Sequence, residues 1–298
     1  MRPLKVLSLF DGIGAARIAF DRLDIPVEYY ASEIDTHCIQ VSTENYPDII
    51  QLGDVKDWNT WDLSEVDMLI GGTPCQGFSY ASPLMLNFTD PRSSLFFDFV
   101  NIKKALKPKH FLMENVRMKA EWEDVISQYL QAAPIEINSN LVSAQNRRRL
   151  YWSDTPLVHP KDLNITWGDI RQNDCADEPI DEKYFFTEKT HAWVEKHISW
   201  NPQKTLRTWG DHEKCQMIEA SHGKGVSGQR FFGIEEERGL RYITPLECER
   251  AQTIPDNYTA SVAKTRRYSM IGNSFTVDVI KDILEQIFIN PRKMLEWV

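Results

Sequence analysis

The chain has 298 residues, 42% hydrophobic, 11% aromatic and 26% charged, a composition that supports a buried core and excludes a disordered polymer. No apolar run reaches the roughly 18–20 residues that a membrane-crossing helix needs. The 43 acidic and 34 basic side chains leave a net charge of -9, which by itself argues against a broad nucleic-acid-binding surface, because phosphates are held by Lys and Arg. That charge is unevenly placed: residues 1–70 carry 13 acidic and 5 basic side chains, so the rest of the chain is close to neutral. The five cysteines, Cys38, Cys75, Cys175, Cys215 and Cys248, include no Cys-x-x-Cys pair, so neither a disulfide framework nor a metal site is expected. Asp11 interrupts the N-terminal apolar run before a signal-peptide core is complete, and an intracellular, cytoplasmic protein is expected.

The first half alternates between strand and helix patterns. Lys5 to Phe10 reads as a strand that breaks at Asp11-Gly12-Ile13-Gly14, and Ala15 to Leu23 follows as a helix. Val27 to Ala31 is a second strand and Thr36 to Tyr46 a second helix; Val66 to Gly71 is a buried strand leading into Gly72-Thr73-Pro74-Cys75. Ser94 to Leu106 reads as a helix, His110 to Asn115 as a strand, Glu121 to Leu130 as a helix, and Ile135 to Leu141 and Arg149 to Trp152 as strands. This alternation predicts an α/β fold with a largely parallel sheet, helices on both faces and ligands beyond the carboxyl ends of the strands. From about Ser153 the pattern gives way to prolines, Gly/Ser clusters and short aromatic pieces. Order returns at Thr244 to Gln252, where Thr-Pro-Leu-Glu reads as a capped helix start, and in a last helix from Thr276 to Ile289.

Five places could carry chemistry. Phe10-Asp11-Gly12-Ile13-Gly14 is a glycine turn between strand and helix, with Glu33 about 20 residues on, where a carboxylate can meet ribose hydroxyls; a ligand-free turn or a nicotinamide site fits the same residues. Asp54-Val55 would follow a third strand. Cys75 lies on a glycine-rich loop after an apolar strand, as an exposed nucleophile must, although an inert buried thiol has the same local sequence. Glu114-Asn115 ends a strand at the same sheet edge, and alternation through Gln145-Asn146-Arg147-Arg148-Arg149 puts Arg147 and Arg149 on one face. Ile271-Gly272-Asn273-Ser274 reads as a turn before the last helix.

In this order the five places strongly resemble the DNA (cytosine-5) methyltransferase family, as does the segment Arg241-Tyr242-Ile243-Thr244-Pro245-Leu246-Glu247-Cys248-Glu249-Arg250. The resemblance covers about residues 4–152 and 240–290. It implies a Rossmann-like, S-adenosylmethionine-dependent methyltransferase sheet formed by residues 1–152 and 260–298 and a small irregular target-recognition domain at 153–259. The activity it implies is methyl transfer to C5 of cytosine in double-stranded DNA, as in restriction-modification, giving 5-methylcytosine after base flipping. Cys75 would add to C6 of the base, Glu114 would act at N3, Arg149 near O2, and Arg147 would support it. Phe10, Asp11, Gly12, Gly14, Glu33, Ile34, Asp54, Val55, Pro74, Leu95, Asn273 and Ser274 would bind S-adenosylmethionine. Gln76, Ser79, Lys224 and Arg230 would contact DNA, with Ser221 to Arg230 as the best candidate for groove contact and Lys204, Arg207 and Lys214 as further cations. A monomer in a bacterial cell or phage-infected host, without metal or membrane, is expected. Ala15 stands where many relatives have a third glycine, and Ile34 where many have an aromatic. A transfer RNA methyltransferase and a catalytically silent DNA-binding partner are the alternatives on the same scaffold.

Overall fold

The computed structural model describes residues 2–73, 95–175, 179–200, 206–227 and 232–290, with only the backbone described at 197 and 224–227. The chain forms two compact units, Met1–Ser139 with Arg147–Lys161 and Phe275–Val298, and Asn140–Asn146 with Asp162–Ser274.

The first unit contains strands β1 (Leu4–Leu9), β2 (Val27–Ser32), β3 (Ile50–Gln51), β4 (Met68–Gly72), β5 (His110–Val116) and β6 (Pro134–Asn138). Strand β7 (Gln145–Asn146) belongs to the second unit, and β8 (Arg148–Ser153) returns to the first. The first-unit helices are α1 (Ala15–Arg22), α2 (Thr36–Asn45), α3 (Leu95–Leu106) and α4 (Ala120–Leu130). Its sheet has the order β3-β2-β1-β4-β5-β8-β6, parallel throughout except that β8 runs antiparallel to both neighbours. Val6, Leu7, Ser8 and Leu9 of β1 are all buried, as a strand covered on both faces requires. One layer of core includes Leu7, Leu9, Phe96, Phe99, Phe111, Trp122 and Trp152.

The second unit holds β9 (Cys215–Gln216), β10 (Ile234–Glu236), β11 (Gly239–Arg241), α5 (Trp167–Ile170), α6 (Glu188–Trp200), α7 (Pro245–Ala251) and α8 (Lys264–Asn273). The final helix, α9 (Val277–Phe288), closes the first unit: its Ile280, Ile283, Leu284 and Ile287 are buried, and Asp278 pairs with Arg22 of α1 at 2.6 Å.

The elements differ from the sequence reading in three places. The 13-residue α6 lies in the stretch expected to be irregular, where aromatic and charged residues obscure the helical period. Gly272 and Asn273 end a helix, α8, in place of the expected turn. Residues 140–146 and 260–274, assigned from sequence to the first domain, lie in the second unit. There Tyr268 donates to the Ile243 carbonyl at 2.5 Å, and Gln145 donates to that of Ala251 at 2.6 Å.

The interior of the second unit includes a charged group beside its apolar residues. Arg241 and Glu247, both 0% exposed, form a two-pronged pair at 2.7 and 2.8 Å. Arg241 also reaches Glu236 at 2.9 Å, and Arg171 binds the other oxygen of Glu236 at 2.5 Å. Glu247 closes the capping box of α7 as well, accepting from the Thr244 amide at 2.9 Å while its own amide donates to Thr244 Oγ1 at 3.2 Å. Arg241→Ala takes the guanidinium from the fully buried Glu247 and one of two from Glu236, and is expected to lower stability by about 3–5 kcal/mol in urea titrations. Arg238→Ala, which removes an exposed guanidinium from Asp174 and Glu182, should change the same measurement far less.

Candidate active site

Parallel strands deliver their carboxyl ends to one edge of the sheet. Beyond β1, Phe10, Gly12 and Gly14 have φ values of 57°, 61° and 77°, a left-handed run that glycine makes accessible. A β-carbon at Gly12 would meet nothing within 4 Å, so its α-carbon faces open space. Glu33, just past β2, folds over this turn: one carboxylate oxygen accepts from the Gly12 amide at 2.8 Å, the other from the Ile34 and Asp35 amides, each at 2.8 Å. The Ser32 hydroxyl donates to the Gly53 carbonyl at 2.8 Å, tying the end of β2 to the segment after β3. Asp54 there caps a short 3-10 turn by accepting from the Lys56 amide at 3.0 Å, and Val55 is buried. Ile34 is 70% exposed, and Phe10 and Leu95 pack partly buried on the core cluster that includes Val55. The edge therefore presents carboxylates, exposed apolar surface and an open glycine.

Beyond β4 and β5 a second group assembles. Glu114 lies opposite Gly72 of β4 and Tyr151 of β8. Arg149 Nε meets Glu114 Oε1 at 2.9 Å, with both side chains largely buried at 11% and 13% exposure. The other Glu114 oxygen would lie 3.2 Å from a β-carbon on Gly72, and the Phe275 ring 2.8 Å from it, so only glycine leaves room for the carboxylate there. Arg147 is 4% exposed, its amide donating to Asn138 Oδ1 at 2.9 Å. Gln145, Arg147 and Arg149 alternate inward, with Asn146 and Arg148 outward.

Several expected site residues lie in the second unit or outside the described residues. Pro74, Cys75, Gln76, Ser79, Lys204 and Arg230 lie outside the described residues, and Lys224 is described only in its backbone, within the 3-10 turn Ala220–Ser227. Asn273 and Ser274 end α8 in the second unit, where the Ser274 carbonyl accepts from Gln252 at 3.2 Å. Lys214 is a correction: its ammonium is enclosed by the carbonyls of Asn140 at 2.7 Å, Ser143 at 3.2 Å and Ile165, so it braces the fold and is withdrawn from DNA contact. Cys38, Cys215 and Cys248 are buried, and burial pushes the thiols of the last two up, which leaves them poor nucleophiles.

Sequence reasoning gave no role to three contributors. Asn115, 1% exposed, donates to Thr73 Oγ1 at 2.9 Å and so anchors the residue two before Cys75; the amide beside Glu114 was its only signal. Asp98 of α3 has its carboxyl held above the usual range, chiefly by burial, with Lys56 opposing and the charge of Asp54 adding to it. Tyr29 donates to Asp11 at 2.7 Å beneath the glycine turn, and nothing in its local sequence marks this.

Asp11 is 6% exposed, and burial pushes its carboxyl up to about 6; the hydrogen bond from Tyr29 opposes that shift and the charge of Glu33 adds to it. Because the folded state binds this proton more tightly than the unfolded chain, the stabilisation it gives is full below the ordinary value of 3.8 and is lost as pH rises through about 6. Asp11→Asn is expected to remove that loss. In urea titrations the variant should gain on the parent between pH 4.5 and 7.5, by an amount on the order of 1–3 kcal/mol.

Among the described residues no His, Cys, Asp and Glu cluster could hold a metal ion, and no helix is long and apolar enough to cross a membrane. Residues 4–289 match the family described as C-5 cytosine-specific DNA methylase. A type II methyltransferase of Lactococcus lactis subsp. cremoris is 29% identical over 95% of this chain and 77% of its own length. One of Neisseria lactamica is 29% identical over 95% of this chain and 96% of its own. Among solved structures, a methyltransferase of Entamoeba histolytica superposes with a TM-score of 0.76 at 17% identity, covering 98% of this chain and 100% of that one. The Dnmt2 methyltransferase of S. pombe does so with a TM-score of 0.68 at 18% identity, covering 97% and 99%. With the family match spanning nearly its whole length, the chain belongs to the C-5 cytosine-specific DNA methylases.

Proposed function

We propose that this DNA cytosine methyltransferase works through a transient thioether between Cys75 and the target base, with Glu114 and Arg149 holding the ring. The observation that carries the reading is the largely buried Glu114–Arg149 pair at the end of β5, beside Gly72 at the end of β4. Cytosine C5 is a weak nucleophile. Addition of the Cys75 thiolate to C6 forms a C6–S bond and moves the C5=C6 electron pair onto C5, in conjugation with N3. Glu114 shares a proton with N3 and Arg149 donates to O2, so both draw on the charge that builds on the ring. C5 then takes up a methyl group, the C5 proton leaves to a base, and the returning pair reforms C5=C6 as the C6–S bond breaks. Arg149 also keeps the Glu114 carboxylate aimed before the base arrives, and Asn115 steadies the strand end that leads to Cys75.

S-adenosylmethionine is the methyl source in this reading. The residues at the first three strand ends fit it: Gly12 leaves open space for close approach, Glu33 and Asp54 offer carboxylates to ribose and adenine, and Phe10, Ile34, Val55 and Leu95 supply apolar contact. When bound, it supplies an electrophilic methyl carbon on a positively charged sulfur, which an acidic surround favours and a phosphate-bearing dinucleotide would not share. The substrate cytosine is in double-stranded DNA and must swing out of the helix to reach a thiolate on a protein loop. Gln76 to Arg92 would cover the flipped base, Ser79 would contact phosphate, and the second unit, with Ser221 to Arg230, would read sequence. The enzyme acts as a monomer in the cytoplasm.

Duplex DNA carrying 5-fluorocytosine should trap the parent enzyme as a covalent complex, because the C5 proton that must leave is replaced by fluorine. Cys75→Ser should abolish that complex on denaturing gels; an unchanged complex would exclude Cys75 as the nucleophile. Glu114→Gln is expected to lower kcat about 10²–10⁴-fold with little change in the Kd for S-adenosylmethionine. Labelled methyl should appear on duplex DNA and not on transfer RNA.

A further inference from the structure

The structure assigns Gln145 as a positioning residue for DNA sequence recognition: its buried side-chain amide, with Gly272, fixes the register of the segment that carries Ser221 to Arg230. This rests on the reading that the segment contacts DNA. Gln145 is the first residue of the Gln-x-Arg-x-Arg motif and has no task in the chemistry above.

The side chain is 0% exposed and makes three hydrogen bonds to two remote segments. Its Nε2 donates to the Ala251 carbonyl at 2.6 Å and to Gln252 Oε1 at 2.8 Å, both at the end of α7. Its Oε1 accepts from the Ile218 amide at 3.0 Å, between β9 and the 3-10 turn Ala220–Ser227. Gln252, also 0% exposed, passes the contact on by donating to the carbonyls of Ile271 at 2.9 Å and Ser274 at 3.2 Å. The ring closes at Gly272, where a β-carbon would stand 2.1 Å from the Ala220 nitrogen and 2.3 Å from the Glu219 carbonyl carbon. A turn earlier on α8, Tyr268 and Thr265 pack on Gly223, whose β-carbon would lie 3.2 Å from the Tyr268 ring.

This ring sets register because little else does. Strands β7 and β9 pair over two residues only, Gln145 with Cys215 and Asn146 with Gln216. So short a ladder specifies register weakly, and a slip of one residue turns every following side chain to the opposite face. The bond from the Ile218 amide to Gln145 forbids that slip, and the backbone contact at Gly272 holds the next turn flat on α8. A disturbed ring therefore shifts the turn Ala220–Ser227, while Glu114 and the residues after β1, β2 and β3 take no part in the ring.

The test compares Gln145→Met, Gln145→Glu and Gly272→Ala with the parent. Plasmid DNA from expressing cells is sequenced after bisulfite treatment, KM for that DNA is measured, and S-adenosylmethionine affinity reports on folding. Gln145→Met and Gly272→Ala should each raise KM about tenfold and spread methylation to sites one base removed from the parent motif, with cofactor affinity held within about twofold. Acting on one ring, the two changes combined should raise KM by less than the product of the separate effects. Gln145→Glu sets a buried carboxylate against the Ala251 carbonyl and Gln252 Oε1 and should lose at least as much as Gln145→Met; a Gln145→Glu enzyme with the parent motif and KM would overturn the inference. Folded Gln145→Met or Gly272→Ala enzyme with the parent motif and KM would also overturn it. Lys224→Ala combined with Arg230→Ala separates the two levels. If that variant changes motif and KM while the ring variants do not, the positioning role alone falls; if it changes neither, the recognition reading falls and the inference with it.

Discussion

A parallel sheet covered on both faces meets solvent only at the ends of its strands, and polar chemistry in the first unit collects at one of those ends. The interior of β1 is apolar apart from Ser8, so the first carboxylate the chain can use on that strand is Asp11, after it stops. Glu33 and Asp54 occupy the equivalent places after β2 and β3, and Glu114 sits near the end of β5. Strand β8 runs the other way, so it is its beginning that reaches this edge, and Arg149 near that beginning meets Glu114. The reversal of one strand thus produces the ion pair on which the proposed chemistry rests.

The uneven charge of the chain follows from the same geometry. Asp67 lies at the opposite end of the sheet, where Arg2 and Lys109 reach it at 2.8 and 2.7 Å. Those partners neutralise it, and their hydrogen bonds hold its carboxyl below the usual range although burial opposes them. At the carboxyl edge Glu33 is bound by backbone amides and Asp11 by the Tyr29 hydroxyl, with no cation neutralising either in these contacts. Such a surround attracts a cationic ligand and repels a phosphate. Part of the acidic average of the sequence therefore sits at one edge of one unit, as Asp11, Glu33 and Asp54, and is not spread over the chain.

The second unit buries charged and amide groups beside its apolar ones. Arg241, Glu247, Glu249 and Gln252 are all 0% exposed. Glu249 accepts from the amides of Asn257 and Thr259, each at 2.9 Å, and from Arg267 at 3.0 Å. A charged or amide interior is directional, so it defines one arrangement of loops where a small apolar core would tolerate several.

The sequence alone determined the strand and helix order of the first unit, because continuous apolar runs and glycine turns are local signals. It also determined the family, since the motifs carrying Cys75, Glu114 and Arg149 occur in a fixed order. The capped start of α7 was legible for the same reason, as Thr244, Pro245 and Glu247 act within one helical turn. What only the tertiary structure decided are the uses of residues whose partners are distant in the chain. Lys214 looks like a cation for DNA until three carbonyls enclose it, and Gly272 looks like a turn until the backbone at Ala220 meets it. Gln145 looks like one more motif residue until Ile218 and Gln252, more than 70 residues away, take up its amide. Burial and hydrogen-bond partnership depend on where remote segments come to lie, and no local pattern of residue types encodes that.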